Sequence, residues 1–450
     1  MDQTQTLDQK PEDVEMDDGP VPFKADDDQL ATYIAAQWQG KVAFFRNAWH
    51  VYDSGYWQER DDSEPRRYIR RALVPVRERI AGIRQGRIVA LAAMLQDDCY
   101  IPDRKINDLE RETAKYINLR NGLYNLETRQ LEPHNPDLYF TTQLSFAYDP
   151  AADCPHFKRF LKTSLAEPDG TKDHDMVALA VEALAYSMTA RTDMKASFWL
   201  VGKPDTGKST LVGLIRELMG NLHATVDLNQ LATNRFLLSG IVGKRVVTFT
   251  EADSNTFLPD ALYKAMIGGQ DEIWVDVKNK PGISFVPAAK FWWAMNSAPK
   301  VNDRSGATLN RLMPILFEHV ITPDQRNPNL PAILKAERPG IFNYLMMGWE
   351  RLVNTGEFTR SDRSDAWREQ YRFENDIEAI YTSERWDMHP EFFIQGEELY
   401  GDYRLWCERN GYKPKNAANA AKEWRRLGLT DSRSNGRTFW RGARLKADSA

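Results

Sequence analysis

Phe198-Trp199-Leu200-Val201 runs straight into Gly202-Lys203-Pro204-Asp205-Thr206-Gly207-Lys208-Ser209-Thr210, and no other stretch limits the fold as strongly. The apolar run reads as a buried strand. The spacing G-x-x-x-x-G-K-[ST] that follows suits a loop whose backbone N–H groups crowd around a phosphate, with the next helix's N-terminus adding partial positive charge. In that arrangement Lys208 reaches the β- and γ-phosphates and the Ser209 hydroxyl holds Mg²⁺. A glycine-rich turn before a surface helix can produce the same letters by chance, so the flanks decide. A strand enters, and Leu211, Leu214, Ile215 and Leu218 recur on one helical face until Gly220. The expectation is an α/β domain with a P-loop that binds ATP and Mg²⁺ through Gly202, Gly207, Lys208, Ser209 and Thr210.

With 450 residues, 42% hydrophobic and 27% charged, the chain is long enough for two or three domains of ordinary globular composition. The net charge of -5 gives no global sign of a nucleic-acid partner, which must then be met by a local basic surface. Cys99, Cys154 and Cys407 lie far apart, which argues against a zinc site or a disulfide framework and suits a reducing cytoplasm. No apolar run approaches the roughly 18 residues that span a bilayer, and the N-terminus is acidic where a signal peptide is basic. The sequence thus predicts a cytoplasmic protein without membrane contact.

Residues 1–28 hold ten carboxylates against Lys10 and Lys24 and read as a disordered acidic tail, solvated or occupying a basic channel. Residues 29–170 alternate short aromatic strands with helices. Trp49–Trp57 reads as a hairpin turning at Asp53-Ser54-Gly55, Arg66–Ile83 as basic helix on either side of a break at Pro75, and Asn121-Gly122 as a tight turn. Arg66, Arg67, Arg70, Arg71, Arg77 and Arg79 suit nucleic acid and a solvated helix face equally. No catalytic constellation stands out here. Glu167-Pro168-Asp169-Gly170 marks a turn and a boundary, and an alanine-rich helix spans Asp173–Arg191.

Beyond the glycine-rich loop, Lys244–Asp253 reads as an apolar strand ending in acids. A carboxylate at a neighbouring strand end can hold Mg²⁺ through water or polarise the attacking water, with Glu251 the first choice and Asp253 the second. Phe291–Met295 reads as another buried strand, and the Asn296 amide at its end can bond both the γ-phosphate and the lytic water. Arg304 and Arg311 follow, each suited to reach a neighbouring subunit's γ-phosphate. Ile273, Val275 and Val277 alternate into Lys278-Asn279-Lys280-Pro281-Gly282, then Ile283 and Phe285 alternate back, a hairpin with a lysine-tipped loop. Such a loop contacts a sugar-phosphate backbone, although taken alone it is equally a solvated edge.

Near the C-terminus, Leu399, Tyr403 and Trp406 recur at helical spacing up to Asn410-Gly411, a second helix runs from Ala417 to Leu427, and Asn435-Gly436 signals a hairpin. Arg425, Arg426, Arg433, Arg437, Arg441, Arg444 and Lys446 are interleaved with Trp424, Phe439 and Trp440. That pattern favours DNA over a protein partner through phosphate contacts and stacking.

The series of glycine-rich loop, strand-Glu251, Gly268-Gly269 hairpin with lysines, strand-Asn296 and arginine resembles superfamily 3 helicases, in the branch of phage, plasmid and poxvirus helicase-primases. Asn121-Gly122-Leu123 with Pro133 and Asp137, and Tyr148-Asp149-Pro150 through Cys154-Pro155, look like the region that precedes the motor in that branch. Leu399 to Gly411 and the helix and hairpin beyond look like the winged helix the family often carries. The resemblance implies an AAA+-like ATPase core at 171–375, a mainly helical N-terminal collar region at 29–170 and a C-terminal winged helix at 376–450. It also implies that Glu251 activates water, Asn296 senses the nucleotide, Arg311 is the finger, and Lys278 and Lys280 touch DNA; the charge of the basic C-terminal stretch separately makes Arg425, Arg426 and Arg437 candidate DNA contacts. Pro204-Asp205 stands where glycines are frequent in the family, and Glu251-Ala252-Asp253 where adjacent acids are common, which puts Asp253's share of the metal in question. No primase domain is recognisable before the motor, so a primase would come from another chain.

The implied activity is ATP-dependent unwinding of DNA in phage, plasmid or mobile-element replication, with single-stranded and forked DNA as partners of a homo-hexamer moving 3′ to 5′, in the host cytoplasm if phage-encoded. The alternative is an origin-binding initiator that uses ATP to melt or remodel DNA without processive unwinding. A phosphotransferase acting on a small molecule would leave the lysine hairpin and basic C-terminus unexplained.

Overall fold

The computed structural model describes residues 20–22, 24–80, 82–227, 230, 237–249, 257–258, 260–269, 271–276, 282–296, 298–301 and 307–446. Glu251, Asp253, Lys278, Lys280 and Arg304 lie outside the described residues, as do residues 1–19 of the acidic stretch. The chain divides into two compact units, one reaching Ala152 and including Leu218–Asn221 and Arg338–Phe342, the other containing the remainder.

In the N-terminal unit, α1 (Asp27–Trp38) precedes an antiparallel meander of β1 (Val42–Phe45), β2 (Ala48–Asp53) and β3 (Tyr56–Arg60). The β2–β3 turn falls at Ser54 and Gly55, as expected. Next come α2 (Ser63–Ala72), α3 (Gln85–Asp98) and α4 (Asp103–Thr113), then a second meander of β4 (Tyr116–Leu119), β5 (Gly122–Asn125) and β6 (Leu131–Glu132). Leu30 and Ile34 of α1, Ile69 of α2 and Leu91 and Leu95 of α3 are fully buried together in one core.

The helices of this region alternate with the short strands of two three-stranded sheets. Three expectations need correction here. The acidic stretch does not stay unstructured to residue 28. Asp26 accepts a hydrogen bond from the Gln29 N–H at 2.9 Å as the N-cap of α1, Asp27 pairs with Arg87, and Val21 and Ala25 are buried. Carboxylates at a helix start complement its positive end, so these acids order the chain locally. Past Pro75 the chain makes only a 3-10 turn at Arg77–Arg79, since proline removes a helical N–H donor. The tight turn is Arg120-Asn121, one residue earlier than expected, because Leu119 pairs with Gly122 and the Asn121 amide bonds both the N–H and the carbonyl of Tyr148.

The second unit begins with α5 (Pro155–Ser164) and α6 (His174–Met188), the latter capped by Asp173. Then follow β7 (Ser197–Gly202), α7 (Lys208–Met219), β8 (His223–Val226) and β9 (Val246–Phe249). After β10 (Phe257–Leu258) and α8 (Asp260–Gly268) comes the expected hairpin, β11 (Ile273–Val275) with β12 (Ile283–Phe285). The remaining pieces of the core are β13 (Lys290–Met295), β14 (Lys300–Val301), which pairs with β10, α9 (Ala307–Asn310) and β15 (Leu312–Phe317). Among the described residues five parallel strands form one sheet in the order β15–β7–β13–β9–β8. Phe198, Trp199 and Leu200 on β7 and Phe291, Trp292 and Trp293 on β13 are fully buried, which explains why these strands read as continuous apolar runs instead of alternating. Burying Phe198 and Phe291 contributes roughly 1.5–3 kcal/mol each.

Three helices, α10 (Leu330–Ala336), α11 (Arg338–Thr355) and α12 (Asp362–Glu374), lead to a C-terminal module. It comprises α13 (Ile377–Arg385), β16 (Trp386–Gln395), α14 (Gly396–Arg409), α15 (Ala417–Arg426), β17 (Thr430–Ser434) and β18 (Arg437–Leu445). The last two strands form the hairpin expected at Asn435-Gly436, and β16 joins it in the order β16–β18–β17. Tyr381, Leu399, Tyr403, Trp406, Trp424 and Trp440 make the module's own core.

Candidate active site

Parallel register brings the C-terminal ends of β7, β9, β13 and β15 to one edge of the sheet. Gly202 stands opposite Phe317, Val201 opposite Met295, and Phe249 opposite Trp293, so Asn296 follows one residue beyond the pairing. Loops at that edge of an open parallel sheet are where ligands bind. Two glycines make the loop after β7 possible. Gly202 has φ +153°, and a Cβ there would lie 1.8 Å from the Phe317 carbonyl oxygen; Gly207 has φ +101°, with Ser164 Oγ 2.5 Å from such a Cβ. Asp205, where a glycine would be unsurprising, also has a positive φ of 61°. Its carbonyl accepts the Ile321 N–H at 2.9 Å and its carboxylate pairs with Arg326 at 3.0 Å, contacts that hold this backbone conformation. The Thr206 hydroxyl, fully buried, donates to the Lys203 carbonyl at 2.9 Å.

Lys208 opens α7 with its side chain only 7% exposed. Its Nζ donates to the carbonyls of Gly202 at 2.6 Å and Lys203 at 2.5 Å, so the ammonium is folded back over its own loop. Ser209 and Thr210 share the first turn with it, where N–H groups have no intrahelical acceptor. All of these line a cavity of about 750 Å³, a size typical of small-molecule sites. Asn296 lines it too, with His156, Arg159, Phe160 and Thr163 of α5 on one wall and Ile321, Gln325, Arg326 and Leu330 on another. The positive charges of Lys208, Arg159 and Arg326 face a single lining carboxylate, Asp205, among the described residues. A lining of this charge beside a helix N-terminus has the chemistry that suits an anion. Among the described residues no group of three His, Cys, Asp or Glu side chains could hold a metal alone. The Ser209 hydroxyl in the first turn of α7 would suit Mg²⁺ brought in with phosphate oxygens and waters, the usual manner for this ion.

The other expected residues are dispersed. Arg311 does not line the cavity; its Nη1 donates to the Lys264 carbonyl at 2.9 Å and its own carbonyl accepts the Ser197 N–H that starts β7. Arg425 pairs with Asp431 at 2.8 Å and lies over the Trp440 ring, and Arg426 pairs with Asp376 at 2.7 Å and Glu423 at 2.8 Å. Arg437 is exposed where β18 begins. On the hairpin Ile273 and Val275 are buried while Trp274 is 65% exposed. Sequence reasoning passed over Arg159, Gln325 and Arg326. The available signal was Thr322-Pro323-Asp324-Gln325, a capping pattern in which Gln325 Oε1 accepts the Thr322 N–H at 3.1 Å.

Residues 31–165 match the family described as D5 N terminal like, and residues 200–311 match a family of unknown function (DUF5906). The chain is 20% identical over 250 residues to "Putative helicase V13" of Sputnik virophage, a stretch that is 52% of this chain and 31% of that protein's length. The chain thus spans about a third of the relative it matches. Among solved structures, the C terminal region of NrS-1 in its apo A form is similar, with a TM-score of 0.51, 13% identity, and coverage of 94% of this chain and 100% of the other. A second apo structure of that region has a TM-score of 0.49 at 11% identity, covering 93% and 99%.

Proposed function

We propose that the chain is an ATP-hydrolysing motor of superfamily 3 type that unwinds DNA during replication. The observation that carries this reading is the convergence of Lys208, Ser209 and Asn296 on one cationic cavity at the carboxyl edge of the parallel sheet. The match to the D5 N terminal like family, the named helicase V13 and the NrS-1-like fold support it. In this reading Lys208 Nζ leaves the loop carbonyls for the β- and γ-phosphates, and Ser209 would hold Mg²⁺, which would supply positive charge against the phosphate oxygens. Glu251 takes a proton from the attacking water while Asn296 orients it, and ADP and phosphate leave. Asp253 would help to hold the metal. An arginine from a neighbouring copy, Arg311 or Arg304, completes the site, which ties hydrolysis to a ring, taken to be a hexamer. Lys278 and Lys280 hold the strand, the C-terminal module carrying Arg425, Arg426 and Arg437 acts as a winged helix on the duplex, and a separate primase lays down primers. The host cytoplasm is the expected setting, and among the described residues no helix is long and apolar enough to cross a membrane.

The self-contained aromatic core of the C-terminal module favours a second reading, an initiator that recognises an origin and only melts it. Hydrolysis and strand displacement, measured with and without single-stranded DNA on forked substrates, test both. A motor shows DNA-stimulated hydrolysis coupled to displacement. Hydrolysis without displacement, together with selective duplex binding, favours the initiator, and hydrolysis indifferent to DNA contradicts both.

A further inference from the structure

We infer that Arg326 is the residue that distinguishes a nucleoside triphosphate from a diphosphate in this cavity, and that Asp205 holds it in readiness. The inference rests on the nucleotide reading of the site and adds to it a residue outside every motif of the sequence. Arg326 Nη2 lies 3.0 Å from Asp205 Oδ2, with side chains 49% and 57% exposed. A half-exposed ion pair of this kind adds little stability and exchanges readily. Both residues line the cavity that also holds Lys208, Ser209 and Thr210. Asp205 is the carboxylate that an incoming polyanion meets, so it needs a cation beside it; a terminal phosphate carries more charge than a carboxylate and offers an arginine two oxygens at once. Transfer of Arg326 from Asp205 to the terminal phosphate satisfies that group and leaves the carboxylate to turn toward water.

The backbone gives the exchange a consequence. The Ile321 N–H bonds the Asp205 carbonyl at 2.9 Å, so the segment that carries Arg326 is tied to the glycine-rich loop itself. Gln325 and Leu330 of the same stretch face the cavity, and α10 begins at Leu330. Arg326 is therefore placed to report the nucleotide's terminal phosphate to the helices beyond β15.

The test is the affinity of the full chain for a non-hydrolysable ATP analogue and for ADP, each with Mg²⁺, in wild type, Arg326→Ala, Arg326→Lys, Asp205→Asn and Lys208→Ala. Arg326→Ala should weaken the analogue about tenfold while ADP changes less than about twofold, the size expected for one charge-assisted hydrogen bond. Arg326→Lys should recover part of the loss. Asp205→Asn, whose side chain tolerates the left-handed backbone, frees Arg326 and should tighten the analogue about threefold. Circular dichroism establishes that each variant is folded. Equal losses for both nucleotides, or an unchanged ratio, overturn the inference while leaving the nucleotide site intact, provided Lys208→Ala abolishes binding. A wild type that binds neither nucleotide overturns both.

Discussion

Lys208 and the pair Arg425–Arg426 are all cations at helix ends, but their partners differ in kind. The Lys208 ammonium rests on two neutral carbonyl oxygens, whereas Arg425 and Arg426 rest on Asp431, Asp376 and Glu423. A carbonyl satisfies a donor without cancelling its charge, whereas a carboxylate cancels it, so the partners of Arg425 and Arg426 lower the positive potential of the C-terminal module. Counting arginines in a sequence therefore overstates the cationic surface of the C-terminal module.

The largest effect should come from removing the loop lysine. Lys208→Ala is expected to lower ATP hydrolysis by on the order of a hundredfold or more, as loss of a preorganised donor does elsewhere, with the fold intact by circular dichroism. A variant of unchanged turnover would break the distinction. Gly202→Ala attacks the geometry that holds the loop. Its Cβ would enter the Phe317 carbonyl, and urea unfolding should show a loss of about 3 kcal/mol or more, while a neutral result would mean β15 yields easily.

His223 extends the contrast to acid. Its imidazole bonds Thr248 at 2.8 Å, and burial, with Arg216 and Lys244 nearby, pushes its pKa down from 6.5 to about 4. The unfolded chain then binds this proton first, so stability should fall as pH drops from 6.5 towards 4. His223→Gln should flatten that part of the urea-midpoint profile; an unchanged slope would assign it to other groups. The smallest effect sharpens the comparison from the other side. Asp376→Asn with Asp431→Asn, which keeps an N-cap acceptor on α13, should raise non-specific DNA affinity about threefold and steepen its salt dependence. No change in salt slope would mean that these arginines do not meet phosphate.

Much of the loop was legible because local chemistry and tertiary setting agree there. Phe198–Val201 can only be a buried strand, and the glycines at 202 and 207 are required by β15 and α5 pressing on the backbone. The place of Asn296 at the end of β13 was legible for the same reason, since an apolar strand precedes it. Arg326 was not, because its link to Asp205 joins residues far apart in sequence. Nor were α13 and β16. Pro390 and the shift in pairing between His389 and Phe393 break the alternation by which a strand is recognised. The acids at 26–28 looked like part of a solvated run, yet a capping contact and the Arg87 pair turn them into a helix start.

The central claim is that the cavity after β7 holds a nucleotide, and a crystal structure with Mg²⁺ and a non-hydrolysable ATP analogue tests it most directly. The account predicts phosphates against the Pro204–Ser209 backbone, Mg²⁺ on Ser209, and Lys208 Nζ moved off the Gly202 and Lys203 carbonyls onto the phosphate oxygens. Nucleotide bound elsewhere, or a loop lysine still on its carbonyls beside bound phosphates, would contradict it.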